Sequence, residues 1–346
     1  MPGEKEIINI LDAVLPQGRL NRCNESDCEI ISLCGQKFLF TTDEFSEEDR
    51  FCEQDPRLLG WNIAAGALSD VYACGGTPHY YAHSLTVAKT WDGKFIEEFG
   101  RGVADALGES GARFMGGDCG QAQEWRCCVS IIGSCDGEPI TRMGARPGDR
   151  IYLSGRVGAG NVQAALGMSP FGKRGVPGLP GIRFRLRARE SALVKRNASS
   201  CIDTSDGVWK SLTIIADLNR CGYAVDSLPY HRAGVLLAKA VAMPAIMLFF
   251  AECGEYELLC TIPEKSERDF LREAGEKGLR FFRIGTVTEN LRTIADGKNT
   301  LEVGDLHIEA RGFESTREYL TALTGWIKRQ RSRETESLSG GAHHAA

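Results

Sequence analysis

Acidic residues placed where predicted strands or helices end are the part of this sequence best suited to chemistry. An aspartate beside glycine at such an end suits a site where backbone and carboxylates approach a ligand closely. Each of these residues taken singly could instead cap a loop, but the pattern recurs along the chain. The six candidates are Asp27, Asp43, Asp70, Asp118, Asp203 and Asp206.

Asp70 is the most informative of the six, because it lies inside the apolar stretch Leu58–Pro78. A carboxylate buried alone is unfavourable, so such a group is normally paired, hydrogen-bonded or bound to a metal. Several carboxylates around one pocket repel each other and need cations. Mg²⁺ takes oxygen ligands and bridges carboxylates to phosphates. The acids together therefore predict a site for Mg²⁺ and a nucleotide.

The common phosphate-binding loops are missing from the sequence. No GxxxxGK[ST] segment occurs, which excludes a P-loop enzyme. The glycine-rich turn from Gly155 to Gly160 does not have the GxGxxG spacing, and we interpret it as structural.

Alternating strands and helices must position the acids. The small and apolar residues from Leu58 predict a helix that Gly75, Gly76 and Pro78 end. Strands predicted at 37–42, at 112–115 and at 199–203 lead into Asp43, Asp118 and Asp206. This rhythm predicts an α+β fold. We predict a first domain over residues 1–140, a second over 141–330 and a disordered tail over 331–346.

Composition limits the function classes. The 346 residues are 42% hydrophobic and 25% charged, with a net charge of −5, so there is no basic excess that would suggest nucleic-acid binding. No run reaches the ~18 apolar residues that a membrane span requires, and no signal-peptide pattern is present. The 13 cysteines form no CxxC pair, which argues against structural zinc. We expect a cytoplasmic protein with no membrane partner.

Six short segments in the right order resemble the ATP-binding family of thiamine-monophosphate kinase and aminoimidazole ribonucleotide synthetase (AIR synthase), and the kinase most closely. The segments span nearly the whole chain. They are TTD at 41–43, SD at 69–70 followed by GGTP, GGD at 116–118, RMGARPGDRIYLSG at 142–155, IDTSDG at 202–207 and GEYELL at 254–259.

The resemblance implies a two-domain AIR synthase-like subunit with an N-terminal domain that forms a dimeric sheet or barrel and a C-terminal α/β domain. It implies ATP and several Mg²⁺ ions in a cleft between the domains, and transfer of the γ-phosphate to thiamine monophosphate or a related small phosphorylated acceptor. Such transfer depends mainly on positioning and charge neutralisation.

Site residues carried over from the family motifs fall into four groups. The implied metal ligands are Asp27, Thr41, Thr42, Asp43, Asp70, Asp118, Asp203 and Asp206. The implied catalytic acids are Asp43, Asp118 and Asp206, and the implied ATP-binding residues are Arg142, Ser205, Gly116 and Gly117. The implied substrate residues are Arg50, Glu255 and Phe313.

The sequence departs from the kinase pattern mainly on the substrate side. Arg50-Phe51 stands where the family has a histidine–phenylalanine pair, and Glu25-Ser26-Asp27 keeps one of two aspartates in the opening motif. A fixed positive charge at Arg50 suits a more anionic or differently shaped acceptor. Two alternatives stay open: a synthetase that activates a carbonyl or amide oxygen, and a non-catalytic nucleotide-binding protein.

Overall fold

A computed structural model of the chain describes residues 4–49, 51, 53, 55–168 and 181–340. Arg50, one of the predicted substrate residues, lies outside the described residues, as do the last six residues of the predicted tail.

The first half of the described chain contributes three helices and six strands. They are α1 (Glu4–Val14), β1 (Glu29–Leu33), β2 (Gln36–Ser46), α2 (Pro56–Ala73), β3 (Thr77–Ala88), α3 (Gly93–Ser110), β4 (Arg113–Phe114), β5 (Cys119–Ala122) and β6 (Arg126–Ser134). A short 3₁₀ helix, Glu47–Asp49, follows β2.

The second half contributes seven helices and seven strands to the described chain. They are β7 (Arg150–Leu153), α4 (Ala159–Met168), α5 (Ala188–Asn197), β8 (Ser200–Asp203), α6 (Val208–Asn219), β9 (Gly222–Val225), α7 (Arg232–Ala240), α8 (Met247–Phe250), β10 (Leu258–Ile262), α9 (Glu264–Glu276), β11 (Phe282–Thr288), β12 (Arg292–Asp296), β13 (Asn299–Glu302) and α10 (Thr316–Gly340). A 3₁₀ helix, Ala310–Gly312, precedes α10.

These strands form two sheets. The first has the order β1-β2-β6-β3-β4, with β5 also paired to β3, and the second has the order β13-β12-β9-β11-β7-β10-β8. Strand β8 is the edge of the second sheet and ends at Asp203, which pairs with Leu258 of β10. Helix α2 packs against β2 and β6 of the first sheet and also against β8 of the second. One helix therefore contacts both sheets.

Helix α2 is the centre of the fold. It begins at the N-cap Asp55, whose carboxylate accepts the Leu58 N–H at 3.0 Å, and every residue from Leu59 to Ala73 is buried. Small residues make this burial possible, because their backbones can approach neighbouring elements closely. A Cβ at Gly60 would lie 2.1 Å from the Phe99 carbonyl oxygen, and one at Gly102 would lie 1.9 Å from that of Arg57. Glycine at these two positions is what allows α2 and α3 to touch.

The predicted boundary at residues 140 and 141 stays a prediction. The strands of the first sheet end at Ser134 and those of the second begin at Arg150. The larger hydrophobic core nevertheless crosses the predicted boundary, since it combines residues of α2 with Tyr256 and Phe270.

The end of the chain differs from the expectation. We predict disorder from residue 331, whereas α10 continues to Gly340. The charged residues beyond Arg329 are mostly good helix formers, and they extend a helix that is already nucleated, which costs less than starting one. In the described part of the chain, no helix has both the length and the apolar character needed to cross a membrane.

The close approach of α2 and α3 gives a stability test. We expect Gly102→Ala to lower the free energy of unfolding by about 1–3 kcal/mol, because the new methyl group must displace a backbone carbonyl. The matched control is Gly100→Ala in the same helix, which has open space around its Cβ. The control should gain about 0.5–1 kcal/mol from helix propensity. Urea unfolding of both variants checks this, and effects of the same sign would contradict it.

Candidate functional site

Three carboxylates from distant parts of the sequence meet at the point where α2, β8 and the loop before β1 come together. Oxygens of Asp27, Asp70 and Asp203 all lie within 4.8 Å of one another. Asp70 is 8% exposed and Asp203 is 1% exposed. Asp43 of β2 joins them, because its carboxyl lies within hydrogen-bonding reach of Asp70. We call Asp27, Asp43, Asp70 and Asp203 the acid cluster.

Neutral hydroxyl groups orient two members of the acid cluster. Thr41 Oγ1 donates a hydrogen bond to Asp70 Oδ2 at 2.5 Å. Ser69 Oγ donates to Asp203 Oδ2, which ties the α2 residue next to Asp70 to the edge of the second sheet. Ser205 Oγ donates to the other oxygen, Asp203 Oδ1, at 2.8 Å.

Arg142 provides the positive charge at the acid cluster. Its Nη2 lies 2.9 Å from Asp27 Oδ1, and its Nη1 donates to the Asn24 carbonyl oxygen at 3.4 Å. Burial would lower the pKa of Arg142, but Asp27 and Asp203 raise it overall, so the guanidinium stays charged. The second oxygen, Asp27 Oδ2, is buried and has no hydrogen-bond partner among the described residues.

One arginine does not neutralise four carboxylates, and burial together with mutual repulsion raises the pKa values of Asp43, Asp70 and Asp203. Burial, followed by Asp203 and Asp27, raises the pKa of Asp43 to about 7. Burial and then Asp27 raise the pKa of Asp203 to about 6, against hydrogen bonds from Ser69 and Ser205. Burial and then Asp43 raise the pKa of Asp70 well above its ordinary value. The acid cluster therefore attracts cations.

The donor set fits a hard divalent cation. All the available ligand atoms are oxygens, as Mg²⁺ prefers, and the partnerless Asp27 Oδ2 is the kind of buried atom that a cation would satisfy. A nitrogen or sulfur ligand, which would favour zinc, is missing from the group.

Two of the predicted acids lie outside this group. Asp118 is exposed, and the hydrogen bond at this residue joins its carbonyl oxygen to the Leu85 N–H at 2.9 Å. Asp206 is exposed too, and its carboxylate pairs with Lys210 Nζ at 3.1 Å. Their roles as metal ligands and catalytic acids stay predictions.

The side chain of Thr42 lies away from the acid cluster, and its role as a metal ligand stays a prediction. Its hydroxyl lies 3.2 Å from Ser130 Oγ on the neighbouring strand β6. Successive side chains of a strand point to opposite faces, so Thr41 and Asp43 share the face toward α2 and Thr42 takes the other.

Glu255, a predicted substrate residue, accepts hydrogen bonds from backbone N–H groups of the protein itself. Its carboxylate accepts the N–H groups of Gly158 at 2.6 Å, Ala159 at 2.9 Å and Gly160 at 3.0 Å. Burial raises its pKa to about 8, although these hydrogen bonds oppose the shift. The Glu255 carboxylate thus occupies the glycine-rich turn at the start of α4. This placement does not support the predicted role of Glu255 at the substrate, which stays a prediction.

Three further predicted residues, Gly116, Gly117 and Phe313, can be located in the structure. Gly117 is needed where it is, because a Cβ there would lie 1.6 Å from the His83 carbonyl oxygen, and Gly116 has a φ of +104°. Phe313 is half-buried, with its ring centroid 6.0 Å from that of Tyr319. The nucleotide and substrate roles of these residues stay predictions.

Sequence reasoning missed two side chains near the acids. Ser69 bridges to Asp203 over 134 positions, a separation that no sequence pattern reveals. Lys210 lies 3.1 Å from Asp206 and 3.8 Å from Glu252. Lys210 lies in the first turn of α6, four positions after Asp206, and this spacing could have indicated the ion pair.

Comparison with known proteins identifies relatives of this chain. Residues 25–135 match the family described as AIR synthase related protein, N-terminal domain. Thiamine-monophosphate kinase of Halobacterium salinarum is 31% identical over 207 residues, which cover 59% of this chain and 68% of that protein. Thiamine-monophosphate kinase of Escherichia coli K12 is 28% identical over 301 residues, covering 79% and 86%.

A solved structure, AaThiL complexed with AMPPCP and TMP, has the same fold. It matches with a TM-score of 0.69 at 23% identity and covers 83% of this chain and 91% of that one. The predicted α+β class and AIR synthase-like fold are confirmed.

The repulsion within the acid cluster predicts a gain in stability when one charge is removed. Asp70→Asn retains an oxygen for Thr41 but removes a buried carboxylate. We expect it to raise the free energy of unfolding of the cation-free protein at pH 8 by about 1 kcal/mol or more. Urea unfolding in a chelator measures this, with the exposed Asp269→Asn of α9 as a control that should change little.

The pH dependence has a definite sign. A carboxyl whose pKa is raised in the folded state contributes stability below its unfolded pKa, and this stability is lost as the pH rises through the folded pKa. For Asp43 and Asp203 the loss is therefore expected between about pH 4 and pH 7. The gain from Asp70→Asn should be smaller at pH 5 than at pH 8; an equal gain at both would contradict the repulsion.

Proposed function

The chain belongs to the thiamine-monophosphate kinase family and is an ATP-dependent kinase, and we propose that it transfers the γ-phosphoryl group of ATP, with Mg²⁺, to thiamine monophosphate or a related small phosphorylated acceptor. The observation that carries the proposal is the acid cluster itself. Four carboxylates from separate elements converge there and are under-neutralised by one arginine.

The residues of the acid cluster would act by holding cations and fixing geometry. Asp27, Asp43, Asp70 and Asp203 would hold Mg²⁺, which supplies charge neutralisation to the phosphates when bound. Thr41 and Ser69 fix the orientation of two of these carboxylates, so little reorganisation accompanies binding. Phosphoryl transfer of this kind needs no covalent nucleophile, and none is proposed.

The acceptor is proposed from the relatives. The proteins matched above are named for thiamine monophosphate, and AaThiL was solved with TMP. Two cationic side chains, Lys210 and Arg142, lie at or beside the acids, but both are already paired with carboxylates. The names of the relatives therefore make thiamine monophosphate the first acceptor to test, and other small phosphorylated compounds follow.

Activity should depend on Mg²⁺ and on Asp43. We expect ADP and thiamine diphosphate to form from ATP and thiamine monophosphate only when Mg²⁺ is present. Asp43→Asn should lower kcat by about 100-fold or more, because one charge of the site is lost. The control Asp269→Asn makes the same change of charge on an exposed surface and should keep full activity. Product chromatography with a coupled ADP assay measures both.

Several outcomes would contradict the proposal. Turnover without a divalent cation, or an Asp43→Asn variant as active as the parent, would remove the acid cluster from the reaction. Release of inorganic phosphate with a dehydrated product would point to a synthetase instead. Nucleotide binding without turnover on any acceptor would point to a non-catalytic role.

We also propose that the protein is a homodimer through the face of the first sheet that α2 does not cover. This face carries Phe40, Tyr80 and Ile132 beside the small residues Ser130 and Ala82. Tyr80 is 43% exposed and Ile132 is 39% exposed. Apolar side chains grouped on an open sheet face are typical of a surface that another chain covers.

Placing a charge on this face should separate the subunits. We expect the parent protein to sediment as a dimer and Ile132→Asp as a monomer, because a carboxylate would lose its hydration at the interface. Leu271→Asp is the matched control, since Leu271 is also exposed but lies on α9. Sedimentation velocity at several concentrations decides; a monomeric parent, or a dimeric Ile132→Asp, would contradict the dimer.

A further inference from the structure

The C-cap of α2 is Cys74, a fully buried cysteine four positions after Asp70. Its backbone N–H donates to the Asp70 carbonyl oxygen at 3.1 Å, so the last turn of the helix connects the two residues. Side chains four positions apart on a helix are neighbours on its surface. The thiol of Cys74 is therefore placed on the side of α2 that carries the Asp70 carboxylate.

The sulfur atom of Cys74 contacts the chain on both sides of Asp27. The Cys28 N–H donates to Cys74 Sγ at 3.4 Å, and Ser26 Oγ lies 3.2 Å from the same sulfur. Both neighbours are buried, with Ser26 8% exposed and Cys28 1% exposed. The residues before and after Asp27 are therefore fixed to one atom at the end of α2.

The backbone of Cys74 organises the same region. Its carbonyl oxygen accepts the Ile140 N–H at 3.1 Å. Two residues further on, Arg142 donates its own N–H to the Glu25 carbonyl oxygen at 2.9 Å, and its guanidinium pairs with Asp27. The end of α2 thus holds both the loop that carries Asp27 and the segment that carries its arginine.

These contacts fix the loop while the Asp27 carboxylate belongs to the acid cluster. Asp27 Oδ1 accepts the Asp203 N–H at 3.3 Å and lies 2.9 Å from Arg142 Nη2. Asp27 Oδ2 is buried without a hydrogen-bond partner among the described residues. Buried polar atoms normally have a partner, so the loop must be held firmly to keep this oxygen unpaired.

Packing alone does not account for a thiol at this position. A free cysteine in a core usually behaves as a small apolar side chain. An alanine would fill part of the same space, but it would leave the buried Cys28 N–H without this acceptor, and an unpaired buried donor is unfavourable. The Cys74 sulfur therefore serves the loop around Asp27 as well as the core.

We propose that Cys74 is a positioning residue for Asp27, whose carboxylate it holds at the distance from Asp70 that a divalent cation requires. The inference rests on the proposed function, because it takes the acid cluster as the cation site. Cys74 would affect the cation through Asp27 and not by contact. Residues that orient metal ligands in this way typically change metal affinity or activity roughly ten- to hundredfold when they are lost.

Titration with Mn²⁺ alone, followed by the paramagnetic resonance signal of the free ion, tests the proposal without turnover. Mn²⁺ prefers the same oxygen ligands as Mg²⁺. We expect Cys74→Ala to weaken Mn²⁺ binding roughly tenfold or more. Cys74→Ser keeps a hydrogen-bond acceptor and should retain most of the affinity. The matched control is Cys127→Ala, which removes an equally buried sulfur from β6 and should bind as the parent does.

The melting temperature of the cation-free variants separates positioning from packing. Both deletions of a buried sulfur are expected to lower it, but only Cys74→Ala should bind Mn²⁺ more weakly. Parent-like affinity of Cys74→Ala overturns the proposal. A Cys74→Ser variant as weak as Cys74→Ala, or an equal loss in Cys127→Ala, overturns it too.

A second variant tests the proposal if Cys74→Ala does not fold. Ser26→Ala removes one of the two contacts with the sulfur and leaves α2 unchanged. It should weaken Mn²⁺ binding by a smaller factor than Cys74→Ala, because the Cys28 N–H stays in place, and parent-like affinity would overturn the proposal. A parent protein that binds no Mn²⁺ would instead contradict the proposed function itself.

Discussion

Mutual repulsion among buried carboxylates is the constraint on which the rest of this structure depends. Asp27, Asp70 and Asp203 bring oxygens within 4.8 Å of one another, and Asp43 adds a fourth charge. In a medium less polar than water such an arrangement opposes folding. The protein compensates only in part, through Arg142 and fixed hydroxyl donors, and leaves a negative centre that cations can complete.

The rest of the fold can be understood as the means of holding these charges together. Helix α2 carries Asp70 and is buried along nearly its whole length, which requires small residues at its contacts with α3. Ser69 then links this helix to Asp203 at the edge of the second sheet. Because each acid belongs to a different element, movement of any one element would open the acid cluster. Rigid packing around α2 is therefore a condition for the site.

Much of this arrangement could be predicted from the sequence, and the limits have physical causes. The four members of the acid cluster are all among the predicted residues: Asp70 lies in an apolar segment, Asp43 and Asp203 lie at the ends of predicted strands, and Asp27 belongs to a family motif. Strand alternation alone predicts that the Thr42 side chain points away from those of Thr41 and Asp43, as the structure has it. The hydrogen bonds of Glu255 could not be predicted, since its partners lie 95 to 97 residues away. Local patterns identify charged groups, whereas long-range contacts decide which of them stay available.

Glu255 also removes one candidate anion-binding position from the fold. A helix start rich in glycine is a ready anion-binding position, since its N–H groups point outward and its dipole favours negative charge. At the start of α4 those N–H groups already bind the protein's own carboxylate. That turn therefore cannot receive the phosphates of a nucleotide while Glu255 remains in place. With no P-loop in the sequence, the negative charge of a triphosphate must be balanced elsewhere. Under the proposed function, the acid cluster would do so through the cations that its carboxylates hold.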